Sequence, residues 1–458
     1  MKGKKSKLLA ALLAGALLLS VTACSSADGS QTSQASEPGG SAQGGEVSKP
    51  EESSGAADPV TLTFVNWGSA EDSTKPAFDA MCEDFTKKNP NITIEQVAYP
   101  YNSIKDQLLI MSSGGNPPDV AQVKAEWVVS LYNAGVLADL NSLLSKETID
   151  DFYGGLLAGA TYDGKVCAAP WAPSPILMYY NKTLMQKAGY SEPPKTWAEM
   201  IEQAEKITAL GSDENGNKIY GWGLSAKKLV GTGYFFLVNM WQNGGEFLDD
   251  SGTVVLNSEG NVKAFTEIRD MVKNGVVPEG LEIKELRNLF AQGQMGFMFD
   301  MEASFAVFNS GSPKGDEFEK EYAATFIPGI TADEKGKTIA IEHQLCVFED
   351  SPNKEFAAAF VDYLTGKDGM SVYNDYVSKL PARKSVESLE YYQKEENAKL
   401  APFMESLSFA KSLPASNENF SFAMEEIAGA IQRVTMNNEE PAAVVKDLDA
   451  AVREKYEK

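Results

Sequence analysis

Four carboxylates, Glu126, Asp300, Glu302 and Glu342, are the groups with which this chain could carry out acid–base chemistry. Cleaving a glycosidic bond takes two such groups about 5–10 Å apart across a sugar, a separation that sequence spacing does not reveal. Metal chemistry has less to work with. There is one histidine, His343, and the four cysteines (Cys24, Cys82, Cys167 and Cys346) show no CxxC spacing, so no metal ligand is assigned. The stretch DENGNKIYGWG opens like a calcium loop with Asp213, Asn215 and Asn217. Lys218 stands where such a loop needs glycine and Leu224 where it needs a bidentate glutamate. Asn215-Gly216 reads as a hairpin turn instead. No GxxxxGK[ST] motif is present to cradle a nucleotide phosphate, and no cofactor is expected. What remains is chemistry of recognition, in which rings stand beside hydrogen-bonding side chains: Asn66-Trp67 and Lys124-Ala125-Glu126-Trp127.

Both clusters sit at the carboxyl ends of predicted strands. VTLTFVNW (60–67), ITIEQVAY (92–99) and PDVAQV (118–123) are apolar, β-rich runs. The helix after the first must stop at KNPN, where Pro90 forbids continuation. The helix after the second, NSIKDQLLIMSSGG, ends in glycines that suit a left-handed cap. This alternation is that of a parallel α/β sheet, which binds ligands at the carboxyl ends of its strands. Further on, KTWAEMIEQAEKIT carries a capping box, Thr196 with Glu199. Helices are predicted at 259–274 and 284–292. MGFMFD (295–300), YAATFIPG and IAIEHQLCVF (339–348) read as strands. SPNKEFAAAFVDYLT reads as a helix with proline in its first turn. Everything after SKLPARKS is helical in pattern. No period of 20–50 residues repeats and no run of eight βα units is visible, which argues against a solenoid and a (β/α)₈ barrel. One stretch fits neither helix nor ordinary strand. In AAPWAPSPILMYYN, Pro170, Pro173 and Pro175 fix φ and remove three amide donors, which makes a stiff, extended crossing.

At 458 residues the chain exceeds one ordinary core, so two lobes are expected. Its formal charge of -23 provides no basic face for nucleic acid. MKGKKSK followed by LLAALLAGALLLSVTA is a basic and then apolar leader, and VTAC resembles the lipobox of bacterial lipoproteins. The expectation is a lipoprotein signal peptide over 1–23, lipidation at Cys24, and an anchor that does not span the membrane. The segment 24–57, rich in Ser, Gly and Ala, reads as a flexible tether with little to bury. Cys82 shares a helical face with Phe78, Met81 and Phe85 and reads as a core thiol. Whether Cys167 and Cys346 pair is left open.

GGNPPDVAQVKAEW, YYNKTLMQKAG, PPKTW, WQNGGEF, FAQGQMGFMFD, SPNKEFAAAFVDYLT and LPARKS occur in this order over about residues 60–390. Together they resemble the extracellular solute-binding proteins of family 1, the sugar-binding subunits of ABC importers related to maltose-binding protein. The resemblance implies a two-lobe, type II periplasmic-binding-protein-like α/β fold with a hinge and a helical C-terminus. It implies an N-lobe of 58–172 plus 343–380 and a C-lobe of 173–342 plus 381–458. PWAPSPI, IEHQ and KLPAR would be the three crossings. The ligand-binding set it implies is Asn66, Trp67, Glu126, Trp127, Trp171, Tyr234, Asp300, Glu302, His343 and Arg383. Relatives carry a Gly-Ser-Trp-like segment after the strand acid. Here Met301-Glu302-Ala303-Ser304 lacks the tryptophan, which removes one implied stacking partner and makes Glu302 the candidate replacement. Arg383 either reaches the cleft or pins the third crossing. The implied protein is a monomeric, lipid-anchored, non-enzymatic receptor on the outer face of a bacterial membrane. It would pass a sugar, an oligosaccharide rather than a monosaccharide, to a permease driven by a separate ATPase. The alternatives are a non-sugar solute (peptide, polyamine, phosphate ester) on the same fold, and a glycosidase.

Overall fold

The computed structural model describes residues 58–457; the expected signal segment 1–23, Cys24 and the tether 24–57 lie outside the described residues. Twelve strands occur among the described residues: β1 (Val60–Asn66), β2 (Ile92–Ala98), β3 (Val120–Lys124), β4 (Thr161–Tyr162), β5 (Lys165–Val166), β6 (Ala169–Pro175), β7 (Leu177–Asn181), β8 (Tyr220–Gly223), β9 (Met295–Asp300), β10 (Tyr322–Thr325), β11 (Ile339–Val347) and β12 (Lys411–Ser412).

They form two main sheets, one per lobe. In the first, β1 lies between β2 and β3, parallel to both, as the βαβαβ pattern requires. The returning β11 adds antiparallel to β3, and β6 and β12 both pair with β11. The second sheet runs β10-β7-β9-β8, with β7 antiparallel to both neighbours. Both faces of the first sheet are buried. Leu62, Phe64 and Val120 join helices Lys75–Lys88 and Lys354–Thr365, while Val65, Ala121 and Val123 pack under helices Ile104–Ser113 and Ala125–Asn133. The second lobe has its own core, in which helices Val230–Gln242, Glu259–Lys273, Phe420–Thr435 and Pro441–Tyr456 pack together. The fold is the two-lobe α/β architecture with a helical C-terminus.

The proline stretch is β6, an edge strand bonded only to β11, where missing amides leave no ladder bond unmade. A single residue, Ile176, separates it from β7 of the other sheet. Ala172, between Trp171 and Pro173, has φ +49, a conformation L residues rarely adopt. Opposite it, the β6–β11 register slips between Ile341 and His343. The first two crossings are thus kinked side by side.

In the KLPAR segment, Arg383 is held by Asp151 at 2.9 Å and Asp362 at 2.7 Å on the first lobe, and Leu380 and Ala382 are buried. Beyond Arg383 the chain packs on the second sheet before it reaches β12: Phe403 meets Tyr179 of β7 at 5.9 Å and Lys399 meets Glu319 at 2.8 Å. Pro352 falls just before the helix cap Asn353 rather than inside the first turn. The capping box at Thr196 and Glu199 forms as read. Cys82, Cys167 and Cys346 are buried free thiols.

Candidate functional site

The loops after β1 and β2 and the first turn of helix Ala125–Asn133 after β3 bring one aromatic cluster to the edge of the first lobe. Trp67 meets Tyr101 at 5.6 Å and Trp127 at 5.7 Å, and Tyr101 meets Trp127 at 5.3 Å, ring centre to ring centre. His343, on β11, closes the group with its ring 5.0 Å from Trp67. Its tautomer follows from its neighbours. Gln122 Oε1 accepts from the backbone N–H groups of Trp67 and Gly68, both at 3.3 Å, so the Gln122 amino group faces His343 Nδ1 at 3.2 Å. Nδ1 accepts, and the proton sits on Nε2. Burial, with Lys379 and Lys124 nearby, holds the imidazole pKa well below its ordinary value, so the ring is neutral.

Two buried glutamates face each other's lobes. Glu126, in the first turn of helix Ala125–Asn133, accepts through Oε1 from the Tyr234 hydroxyl of the second lobe at 2.9 Å. Burial and the carboxylate push the Tyr234 phenol well above its usual range, so it stays a donor. Lys124 lies 3.9 Å from the same oxygen. Glu302, in the loop after β9, accepts from Ser174 of β6 at 3.0 Å and lies 3.7 Å from Lys379. Burial raises the Glu302 pKa against the pull of Lys379 and Ser174. Each carboxylate keeps one buried oxygen without a partner, Glu126 Oε2 and Glu302 Oε2. Buried acceptors are rarely left so. On the opposite face of β11, Glu342 is tied to Ser412 and Gln344 and is pushed up to about 8 by burial.

Residues 71–371 match the family described as bacterial extracellular solute-binding protein. The chain belongs to that family. A Brucella abortus protein described as a binding protein is 30% identical over 405 residues, 87% of this chain and 93% of the relative. The cyclic alpha-maltosyl-1,6-maltose binding protein of Arthrobacter globiformis shares the fold with a TM-score of 0.75 and 24% identity, over 87% of this chain and 99% of that one. So does UgpB of Mycobacterium tuberculosis, solved with glycerophosphocholine, with a TM-score of 0.71 and 18% identity over 88% and 99%. As an extracellular solute-binding protein, the chain acts outside the cytoplasm, in a family of binders rather than enzymes.

In this solute-binding protein, Trp67, Glu126, Trp127, Tyr234, Glu302 and His343 gather at the lobe boundary. Four other residues of the sequence-derived set are engaged elsewhere. Asn66 spends its amide on Phe64, Gln96 and Ser69 and shapes the loop after β1. Trp171 is fully buried, stacked on Tyr373, with its indole N–H given to Leu364 O at 3.1 Å. Asp300 is clasped by Arg287 through two bonds of 2.7 Å. Arg383 holds Asp151 and Asp362, as above. Sequence reasoning missed Tyr101, Gln122, Lys379 and Ser174. Tyr101 had a signal, since it lies three residues past the end of β2, on the same side of the sheet where Trp67 follows β1. Lys379 had none, because only tertiary packing brings it to Glu302.

Proposed function

We propose that this chain is the receptor of an ABC importer and that it captures an uncharged oligosaccharide between its lobes. The observation that carries this is the pairing of Glu126 and Glu302. Each is anchored across the lobe boundary, has a lysine within 4 Å, and keeps one buried oxygen open. Sugar hydroxyls supply the donors those oxygens lack, and the C–H face of a pyranose suits the Trp67–Tyr101–Trp127 wall. Because each lysine already faces a carboxylate, the charge at the floor is balanced. That favours a neutral ligand over a phosphate ester or a polyamine. The sugar-binding protein of Arthrobacter, on the same fold, supports the same reading.

The receptor catalyses nothing and works as a monomer. A lipid on Cys24 and the tether 24–57 keep it at the outer face of the membrane, and a permease with a separate ATPase receives the loaded form. A thermal-shift screen against mono-, di- and oligosaccharides, polyamines, short peptides and glycerophosphodiesters tests the reading. At a hundredfold excess over Kd, a ligand specific to the native state adds about 2.7 kcal/mol of stability. A shift with one glycan series that is lost in Glu126→Ala is expected. A shift only with polyamines, peptides or phosphodiesters would sink the sugar assignment.

A further inference from the structure

Gln122, on β3, is 1% exposed. Leu345 of β11 is its partner in the ladder, and His343 lies two residues further along the same face. Such diagonal neighbours are within reach of a long side chain. The Gln122 amide spans the gap with both ends engaged. Its oxygen takes the backbone N–H groups of Trp67 and Gly68, and its amino end gives a hydrogen to His343 Nδ1.

This arrangement leaves the imidazole one place for its proton. An amide oxygen that serves two backbone donors cannot turn towards the ring without stranding both. A second proton, on Nδ1, would face the Gln122 amino group donor to donor. Lys124, the strand partner of His343, and Lys379 oppose that second proton as well. Nε2 has no partner among the described residues, and His343 is only half-buried. The two lysines already face carboxylates, Lys124 that of Glu126 and Lys379 that of Glu302. His343 thus adds one neutral donor to the two open glutamate oxygens.

We infer that Gln122 is a positioning residue that holds the His343 proton on Nε2, from which it is donated to an acceptor oxygen of the ligand. The inference rests on the sugar reading above and adds a rule of specificity to it. A sugar brings ring, bridging and hydroxyl oxygens, any of which accepts. A protonated polyamine brings N–H donors alone and would meet Nε2–H donor to donor. A carboxylate in place of the Gln122 amide keeps the two backbone hydrogen bonds but only accepts, so Gln122→Glu draws the proton to Nδ1 with little change of shape.

His343 is the sole histidine of the chain, so isotopic labelling of histidine in the untagged protein gives one ring to observe by nuclear magnetic resonance. At pH 8, above the ordinary imidazole value, long-range proton–nitrogen spectra of the parent should show a neutral ring protonated on Nε2. Those of Gln122→Glu should show the proton on Nδ1. Should that variant fail to fold, Gln122→Met removes the amide and should show both tautomers. Titration calorimetry with maltotriose, chitotriose and arabinotriose then compares affinities. For the sugar that binds, either substitution should weaken affinity about fivefold or more. The same substitution should matter less than about twofold when His343→Phe is already in place. A parent ring protonated on Nδ1, or an equal loss with and without His343, overturns the inference and leaves the sugar reading standing. No binding of any of the three sugars overturns the sugar reading and the donor role with it, and the spectra then decide on their own whether Gln122 sets the tautomer.

Discussion

Glu126 and Tyr234 satisfy each other across the lobe boundary. The carboxylate stands on the first lobe, the phenol on helix Val230–Gln242 of the second, and the bond is 2.9 Å. A hydrogen bond to a charged group contributes about 1.5–3 kcal/mol, a ten- to hundredfold bias between open and closed lobes. Tyr234→Phe keeps the ring stacked on Phe420 and removes the donor. The ligand-free variant should therefore show a larger radius of gyration by small-angle scattering, with each lobe still folded. An unchanged radius would mean that this bond does not hold the lobes together.

Arg383 is expected to matter for stability and not for binding. Its guanidinium spans Asp151 and Asp362, and Ser385 adds bonds to Asp151. Burial opposes ionisation of Asp151, yet these contacts hold its pKa below the usual value. Arg383→Met strips the partner from a largely buried carboxylate and should lower the unfolding free energy by about 2–4 kcal/mol. Sugar affinity, compared by titration at a temperature where the variant is folded, should not change.

Glu342 gives a pH signature. Its folded pKa of about 8 lies above the ordinary carboxyl value. Between the two values the native state holds a proton that the unfolded state lacks. Stability should therefore fall as pH rises through that window, with a slope of about 1.4 kcal/mol per pH unit for one proton, and level off above about 8. Glu342→Gln mimics the protonated acid and can still accept from Ser412 and Gln344. Its urea-unfolding profile should be flatter from pH 5 to 9, with the variant the more stable protein at pH 9. Parallel profiles would show that another group sets the slope.

The elements that local pattern controls were legible in the sequence. MGFMFD is a strand over the residues read, the capping box at Thr196 forms, and the proline stretch is an extended crossing with edge pairing. What was not legible depends on partners distant in sequence. Asp300 ends a strand as a ligand-binding acid would, but Arg287, on a neighbouring helix, claims it. Trp171 looked like a cleft aromatic because it lies in a crossing. Strand alternation turns it inward, against Phe78 and Tyr373. Glu302 has a reason to be buried only once Ser174 and Lys379 are seen around it.

The buried thiols allow a simple check on the first lobe. Cys82 is pushed up to about 12 and Cys167 to about 11, mainly by burial, and Cys346 is fully buried. All three are free. In the body 58–458, a thiol reagent at pH 8 should find no reactive group in the native state and three in guanidinium. Two fewer in guanidinium would mean that Cys167 and Cys346 are bridged.

The aromatic wall should report binding directly. Trp67 is nearly buried, whereas Tyr101 is 41% exposed and touches both Trp67 and Trp127. A sugar ring set on this wall covers Tyr101 and the exposed edge of Trp127, so tryptophan emission should shift to shorter wavelength on binding. Trp127→Phe should remove most of that shift and weaken binding modestly, since a ring remains. Tyr101→Ala should weaken binding about tenfold, the loss expected for one aromatic contact with its buried area. Trp171→Phe separates the two roles of tryptophan here. Its ring lies in the core and its N–H is committed to Leu364, so the variant should lose stability while keeping both the emission shift and the affinity. If Trp171→Phe instead abolishes the shift and Trp127→Phe leaves it intact, the sugar sits deeper in the hinge than the Trp67–Tyr101–Trp127 wall.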